Sequence, residues 1–288
     1  MPTVTPDRSR VAEAFAAEST RVVELVRSCR DMATPVPGLD WNVGQLAAHI
    51  TSVYERFART VRGDAADGEI DRGFIQAMQA VDQHQPLPGL IAAANRYLVG
   101  HMDALDSPAA ADALSEQAAG LTEAVHAASD LSAHRPTPWY GIDSTRTIGT
   151  LACLAVTESL VHGRDLAVAL GAQTRMSRRS AAAATPTVMS AMYPGLVDAR
   201  KAGSLRAGFE VRMRGADPFV LRLEQGRLEC VEPGERGVDC VVYMDPCAAL
   251  LIAFGRQSLV RAVLTGGAIA TGRKPWLGLR FPSLFVVP

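Results

Sequence analysis

The sequence has few cysteines and no excess of charge, and each shortage excludes a class of protein. It carries 5 cysteines among 288 residues, scattered and without a Cys-x-x-Cys pair. Such a set is typical of reduced thiols in a cytoplasm and does not indicate a disulfide framework or a cysteine-rich zinc site. The formal net charge of -1 provides no basic field that would attract nucleic acid or an anionic membrane.

Long apolar runs are missing as well. Stretches such as residues 247–254 (CAALLIAF) fall far short of the roughly 20 residues that span a bilayer. The N-terminus lacks the basic-then-apolar pattern of a signal peptide. We therefore expect a cytoplasmic protein with no membrane insertion and no nucleic-acid partner.

The familiar nucleotide-binding and hydrolase motifs are also absent. No Gly-x-Gly-x-x-Gly follows a predicted strand, and neither a phosphate-binding loop nor Gly-x-Ser-x-Gly occurs. The chain is nevertheless globular in composition, with 48% hydrophobic and 20% charged residues. Its function must therefore be sought in other residues.

Helical periodicity dominates the chain up to residue 171. Apolar residues recur at helical spacing over residues 7–30, 41–61, 74–81, 90–105, 109–131 and 150–171. Residues 63–73 and 132–144 are predicted to be loops, and the segments on either side of Pro108 are either two helices or one kinked helix. This pattern favours an antiparallel bundle, in which ligands project into the core from facing helices.

The pattern changes after residue 171. Residues 180–201 are Ala-rich and helical, and apolar and polar residues then alternate with the period of half-buried strands. Strands are predicted at 209–213, 219–223, 238–244 and 266–272, with short helices at 246–254 and 258–264. The second half is therefore predicted to be α+β. We expect domains at residues 1–175 and 176–288, with the boundary between 172 and 205.

The helix predicted from Thr150 to Gly171 carries the most informative polar residues. Glu158 and His162 lie on its apolar face, one turn apart, and Asp165 follows three residues later. A buried carboxylate is costly unless something pairs with it. Glu158 and His162 can share a small cation, or they can form a buried hydrogen bond without a metal. Asp165 can orient His162, or it can pair with an arginine.

A third candidate ligand lies on an earlier helix. His49 borders the apolar face that Leu46 and Val53 mark, where a lone histidine is more often a core residue with one partner. Two histidines and one carboxylate with an open position form a catalytic zinc-type site, which lowers the pKa of a bound water or thiol. Spacing alone only suggests such a site, because His49 is more than a hundred residues from the pair. The other histidines are interpreted as structural or surface residues.

Two motifs taken together resemble a known superfamily. Residues 41–49 (WNVGQLAAH) resemble the second-helix motif of the DinB-like metal-binding bundles, and residues 158–166 (ESLVHGRDL) resemble their E-x-x-x-H-x-x-D-L helix. Within that superfamily the chain is most similar to the mycothiol-dependent maleylpyruvate isomerase family. Members of that family join the bundle to a small domain resembling sterol carrier proteins. The C-terminal half, including residues 253–256 (AFGR) and 264–269 (LTGGAI), looks like that second domain.

The resemblance implies a two-domain fold, with an all-α DinB-like up-down four-helix bundle followed by an α+β sterol-carrier-protein-like domain. It implies that His49, Glu158 and His162 bind a divalent metal, usually zinc, and that mycothiol or a similar thiol is the cosubstrate. Arg256 matches a Gly-Arg step at which an arginine could reach an anionic substrate as a catalytic residue. It can equally be a solvent-exposed arginine at a helix end.

Three hypotheses about function follow. The first is an enzyme, a metal- and thiol-dependent isomerase or S-transferase acting on a small anionic or electrophilic substrate between the domains. The second is a non-catalytic metal- or lipid-binding protein whose C-terminal domain holds an apolar ligand. The third is a family member that binds metal and catalyses nothing. The sequence leaves open the substrate and the choice between monomer and homodimer.

Overall fold

The computed structural model describes residues 4–64, 69–232, 234 and 237–286. The first part of the chain is helical, as the periodicity predicts. Its helices are α1 (Arg8–Arg27), α2 (Val43–Arg62), α3 (Glu69–Ala80), α4 (Leu87–Gly100), α5 (Ser107–Ala127) and α6 (Ile148–Ala169).

Four of these helices share one core. Helices α1 and α2 each pack against both α5 and α6, and their apolar faces meet in a cluster that includes Val22, Ile50, Leu114 and Leu160. Helix α6 lies innermost, since 18 of its 22 residues are buried. Every polar side chain on α6 that faces the core is therefore taken out of water and needs a partner.

Capping fixes the start of α2, the helix that carries His49. The side chain of Asn42 accepts a hydrogen bond from the Gln45 backbone at 2.8 Å, and the Asn42 N–H donates to the Gln45 side chain at 3.1 Å. This reciprocal pair satisfies two backbone N–H groups that the first turn would otherwise leave free. The register of α2, and with it the direction of His49, is therefore set locally.

Three predictions about the helices and loops need correction. The loop predicted at residues 63–73 is shorter, because α3 begins at Glu69; residues 65–68 lie outside the described residues. Helix α4 already includes Pro88, because a proline in the first turn has no hydrogen bond to lose. Helix α4 ends at Gly100 and α5 is separate from it, with Pro108 in the first turn of α5.

The segment at residues 132–144, predicted to be a loop, contains the first strand of a small hairpin and the connection to its second strand. Strand β1 (His134–Pro136) pairs antiparallel with β2 (Thr145–Thr147), and a 3-10 helix (Pro138–Tyr140) lies between them. The hairpin leads directly into α6 and carries two aromatic residues toward the bundle.

The second part is α+β, as the alternation predicts. Its elements are α7 (Arg178–Leu196), α8 (Ala199–Ala202), β3 (Ala207–Met213), β4 (Phe219–Glu224), β5 (Arg227–Val231), β6 (Cys240–Met244), α9 (Pro246–Ala253), α10 (Leu259–Leu264), β7 (Ala268–Thr271) and α11 (Leu277–Arg280). The strands form a sheet in the order β5-β4-β3-β6-β7, in which β3 and β6 are parallel and the other neighbours antiparallel.

Helix α7 contacts both parts of the chain. It packs against α1 and α6 on the helical side and against α9 and β5 on the other. The boundary predicted between residues 172 and 205 therefore falls around a helix that the two parts share, and the domain division stays a prediction.

Gly278 lets α11 pack directly against the sheet, because a Cβ at this position would overlap the Cβ of Ala270 on β7. We expect Gly278→Ala to destabilise the protein by about 1–3 kcal/mol through overpacking. Gly120→Ala on α5 is the control, since only the Arg62 side chain comes within 4.0 Å, and it should stabilise the helix by up to about 1 kcal/mol. Urea denaturation measures the free energy of unfolding of both variants, and equal values for the two would contradict the close packing of Gly278 against Ala270.

Candidate metal centre

Three side chains from α2 and α6 converge inside the bundle. One possible ligand atom from each of His49, Glu158 and His162 lies within 4.8 Å of the other two. Within the described part of the chain, no other group of three or more histidine, cysteine or acidic residues could hold a metal in this way. Helix α6 places Glu158 and His162 one turn apart on one face, and the packing of α2 against α6 brings His49 to them.

The Glu158 carboxylate is the centre of this cluster. Its Oε2 lies 3.0 Å from Nε2 of His162 and 3.5 Å from Nε2 of His49. The two imidazole rings meet edge to face, with centroids 5.1 Å apart. Two imidazole nitrogens and one carboxylate oxygen are the donor set that zinc accepts in catalytic sites. The residues present therefore fit a divalent metal.

Asp165 lies behind His162. Its Oδ2 is 3.3 Å from Nδ1 of His162, so the opposite nitrogen of the ring faces Glu158. Arg256 holds the same carboxylate through two hydrogen bonds, from Nε to Oδ1 at 3.2 Å and from Nη2 to Oδ2 at 2.8 Å. Both roles that the sequence allowed for Asp165 are therefore present together, since it contacts the histidine and pairs with an arginine.

Arg256 brings the second part of the chain to the cluster. It follows α9, its side chain is only 18% exposed, and its Nη1 donates to the Phe254 carbonyl at 2.8 Å. It is therefore not the solvent-exposed helix-end arginine of the alternative interpretation. Its guanidinium contacts Asp165, which places it one side chain away from His162.

Burial and hydrogen bonding act in opposite directions on the titrating groups. Burial raises the pKa of Glu158, but hydrogen bonds from His162 and His49 outweigh it and hold that pKa well below its usual range. Burial lowers the pKa of His162, but Asp165 and Glu158 outweigh it and raise it to about 9. Burial also lowers the pKa of His49, and there it prevails. Hydrogen bonding therefore favours the charged forms of Glu158 and His162, whereas burial favours the neutral form of His49. Metal binding would compete with protonation of these ligands.

The cluster lies in the wall of a cavity of about 720 Å³. Helices α2, α4 and α6, the 3-10 helix and the segment after α9 all contribute to the lining, which includes Trp41, Arg56, Trp139, Tyr140 and Arg256. This volume is in the range of pockets that bind small molecules. Sequence reasoning missed Trp139 and Tyr140, for which the available signal was an aromatic pair inside a segment rich in proline and glycine.

The remaining candidates lie elsewhere. The other histidines, His84, His101, His126 and His134, are exposed. All 5 cysteines are free thiols. None of the helices searched within the described ranges is long and apolar enough to cross a membrane.

The fold and the site together define a class of protein. It is a helical bundle with a cluster of two histidines and one carboxylate in a cavity, joined to an α+β part that contributes an arginine to the same cavity. The family model of the mycothiol maleylpyruvate isomerase N-terminal domain matches residues 12–167, which is more than half of the chain. The chain belongs to this family, as the two motifs predict. The match includes all three residues of the cluster.

Solved structures of that name resemble the chain over most of its length. The crystal structure of the mycothiol-dependent maleylpyruvate isomerase is 14% identical, with 92% of this chain and 93% of that chain covered and a TM-score of 0.49. A crystal structure of a histidine-to-alanine mutant of the same enzyme is 11% identical, with the same coverage and a TM-score of 0.49. No curated protein sequence matches this one.

Proposed function

We propose that this protein is a metal- and thiol-dependent enzyme that isomerises, or transfers a thiol to, a small anionic or electrophilic substrate. The observation that carries the proposal is the convergence of His49, Glu158 and His162 in the wall of a large cavity. These three side chains are the proposed ligands of a divalent metal, and zinc fits the donor set best. Mycothiol or a similar low-molecular-weight thiol is the proposed cosubstrate. Maleylpyruvate is the first substrate to test, because the family name supplies it.

The metal, when bound, lowers the pKa of a coordinated thiol toward neutrality. The residues of the chain perform the remaining tasks. His49, Glu158 and His162 would hold the metal, and their position in the cavity wall would leave it accessible to a thiol. Asp165 fixes the orientation of the His162 ring, and Arg256 fixes Asp165 in turn, so the C-terminal part helps to orient a ligand. We assign Arg256 this positioning role, and a direct contact between its guanidinium and an anionic substrate remains a prediction.

We also propose the finer domain assignment. The packing of α1, α2, α5 and α6 around one core supports a DinB-like four-helix bundle over residues 1–175. The five-stranded sheet with α9, α10 and α11 supports a sterol-carrier-protein-like domain over residues 176–288.

Reconstitution and turnover test the proposed function directly. Protein stripped with a chelator and reloaded with zinc is mixed with maleylpyruvate and mycothiol, and isomerisation is followed. We expect turnover only when both the metal and the thiol are present, and none in the Glu158→Gln variant. Turnover that persists without thiol or after chelation would overturn the proposal.

Asp165→Asn is expected to weaken zinc binding about 10- to 100-fold while leaving the three ligands in place. The amide removes the negative charge that makes the His162 ring a more basic ligand. Competition with a chromophoric zinc chelator measures the affinity. Asp239→Asn is the matched control, because Asp239 is also buried and ion-paired, with Arg273 and Lys274, but lies outside the cavity. Equal affinities in all three proteins would contradict the role of Asp165.

One observation favours the second candidate function. The C-terminal part carries another cavity of about 890 Å³, whose lining includes Met213, Tyr243, Leu251, Ile269 and Arg178. The lining combines apolar side chains with three arginines, Arg178, Arg212 and Arg214, of which Arg178 pairs with Asp245. Such a mixed wall suits a ligand that has both an apolar part and an acidic group. Native mass spectrometry after gentle purification distinguishes the candidates, since a co-purifying lipid without metal favours the carrier and a stoichiometric metal without lipid favours the enzyme.

A further inference from the structure

Two short helices of the second part, α10 and α11, expose apolar side chains that the proposed function does not use. Nine large hydrophobic side chains are exposed within the described residues, and seven of them lie between residues 243 and 279. Tyr243 and Ile269 line the cavity of the C-terminal part. The other five lie on α10 or α11, or directly before α11, and line neither large cavity: Val260, Val263, Leu264, Trp276 and Leu279.

Both helices cover the same face of β7, the last strand on this side of the sheet. Ala268 of β7 packs with Ala262 of α10, and Ala270 lies against Gly278 of α11. Because Ala268 and Ala270 are two residues apart on a strand, they point to the same side of the sheet. The two helices therefore lie along one strand and turn their outer sides away from the same face.

The outer sides of the two helices carry the five apolar residues. Val260, Val263 and Leu264 have the spacing of one stripe along a helix, and Leu264 is 82% exposed. Trp276 and Leu279 are three residues apart, and they are 60% and 66% exposed. Scattered apolar residues are normal on a protein surface, but a group of them at one place marks an interaction site.

The charges around these apolar residues have one sign. Residues 246–288 contain four arginines and one lysine, but no aspartate or glutamate. Arg256 contacts Asp165 beside the histidine–glutamate cluster. The other four cations lie on α10 or α11, or between β7 and α11: Arg261, Arg273, Lys274 and Arg280. These four cations and the five apolar side chains are called the α10–α11 face below.

Only part of this positive charge is offset. Asp239 pairs with Arg273 at 2.8 Å and with Lys274 at 3.1 Å, so two cations share one carboxylate. Arg261 and Arg280 are exposed and form no ion pair with any residue that the structure describes. The face is therefore positive, although the whole chain has a net charge of -1. The absence of a basic field applies to the chain as a whole, and this face is a local exception.

We propose that the α10–α11 face docks on the surface of a lipid bilayer that contains anionic lipids. Negatively charged headgroups attract arginine and lysine side chains near the surface. The leucines and Trp276 would enter the boundary between headgroups and acyl chains, which suits an indole ring with one polar N–H. The docking is peripheral and needs no spanning segment. A second copy of the chain fits less well, because two copies of this face would bring like charges together.

Cosedimentation with vesicles tests the docking. We expect the protein to bind vesicles of equal parts phosphatidylcholine and phosphatidylglycerol at least about tenfold more tightly than vesicles of phosphatidylcholine alone, and less tightly as salt is added. The charge variant, Arg261→Glu with Arg280→Glu, should bind the anionic vesicles about tenfold more weakly or worse. The apolar variant, Leu264→Ser with Leu279→Ser, should also lose about tenfold.

Matched controls separate this face from a general effect of charge or polarity. Arg30→Glu with Arg227→Glu makes the same change in net charge, since Arg30 follows α1 and Arg227 lies on β5 at the opposite edge of the sheet, and both are exposed. Leu105→Ser is the apolar control, because Leu105 is exposed between α4 and α5. The controls should bind as wild type does. All substituted side chains are exposed, so thermal unfolding should not change.

Tryptophan fluorescence tests which face touches the lipid. The chain has three tryptophans, and Trp41 and Trp139 line the cavity of the histidine–glutamate cluster, away from α11. Anionic vesicles with brominated acyl chains should quench part of the fluorescence, and Trp276→Phe should remove most of that quenching. Binding without quenching of Trp276 would mean that another face contacts the bilayer, and it would overturn the proposal.

Two further results would overturn it as well. One is wild-type protein that does not bind the anionic vesicles, or a charge variant that binds them as its control does. The other is a dimer, seen by light scattering without vesicles, that the apolar variant dissociates, because a second copy would then cover the face. Metal-free protein should bind vesicles as tightly as metal-loaded protein. A chain that holds no metal therefore overturns the proposed function and leaves this inference standing.

Discussion

Glu158→Gln is expected to abolish stoichiometric metal binding by the purified protein. The neutral amide removes the one negative charge that the three proposed ligands offer to a dication. The Glu158 side chain is only 16% exposed, so water cannot replace the lost oxygen well. Mutation of a residue that hydrogen-bonds to a metal ligand already lowers metal affinity about 10- to 100-fold, and loss of the ligand itself should lower it further. Elemental analysis after dialysis against buffered zinc measures the metal content of each chain.

His49→Ala and His162→Ala should have the same effect, because each removes a ligand from the proposed site. Glu55→Gln is the matched control for the glutamate, since Glu55 is exposed on α2, and His126→Ala serves for the histidines. Both controls should keep the wild-type metal content. If the three cluster variants also keep it, the assignment of the ligands is wrong and the cluster is a hydrogen-bonded core without a metal.

Local geometry explains why two of the three residues of this cluster could be anticipated from the sequence. Residues four apart on a helix point the same way, so a helix over residues 150–171 is enough to bring Glu158 and His162 together. His49 is different, because periodicity shows that it borders an apolar face but not which helix covers that face. The resemblance of residues 41–49 to a bundle motif supplied the third residue, and the packing of α2 against α6 brings it to the other two.

Contacts between distant segments account for what sequence reasoning missed. Arg256 and Asp165 are 91 residues apart, and no local rule pairs them. The segment at residues 132–144 has the composition of a loop, yet strand pairing at its two ends turns it into a hairpin that delivers Trp139 and Tyr140 to the cavity. The helix predicted to begin at residue 90 begins at Leu87 and includes Pro88, because a proline in the first turn is compatible with a helix. Packing between residues far apart in the sequence therefore decides the first two features, and local helix geometry decides the third.

Arg256→Met is expected to destabilise the metal-free protein by about 3 kcal/mol, because it leaves the Asp165 carboxylate buried without its main partner. Asp165 is only 3% exposed, so the lost ion pair cannot be replaced by hydration. His162, 3.3 Å away, still contacts the carboxylate and limits the loss. Urea denaturation in the presence of a chelator measures the change without a contribution from metal binding. Arg27→Met is the control, since Arg27 forms an exposed ion pair with Asp112 and its removal should change stability little.

The double variant Asp165→Asn with Arg256→Met should be clearly more stable than the sum of the two single losses predicts. Once the carboxylate is an amide, the methionine no longer faces an unpaired charge, so we expect a coupling energy of about 1–3 kcal/mol. Additive losses would contradict a direct contact between the two side chains. Because Arg256 follows α9 and Asp165 lies on α6, this coupling also measures how much this one ion pair contributes to the contact between the two parts of the chain. The losses of zinc affinity in the two single variants and the double variant should be non-additive in the same way. The reason is that the Asp165 carboxylate that Arg256 holds is also the one that contacts His162.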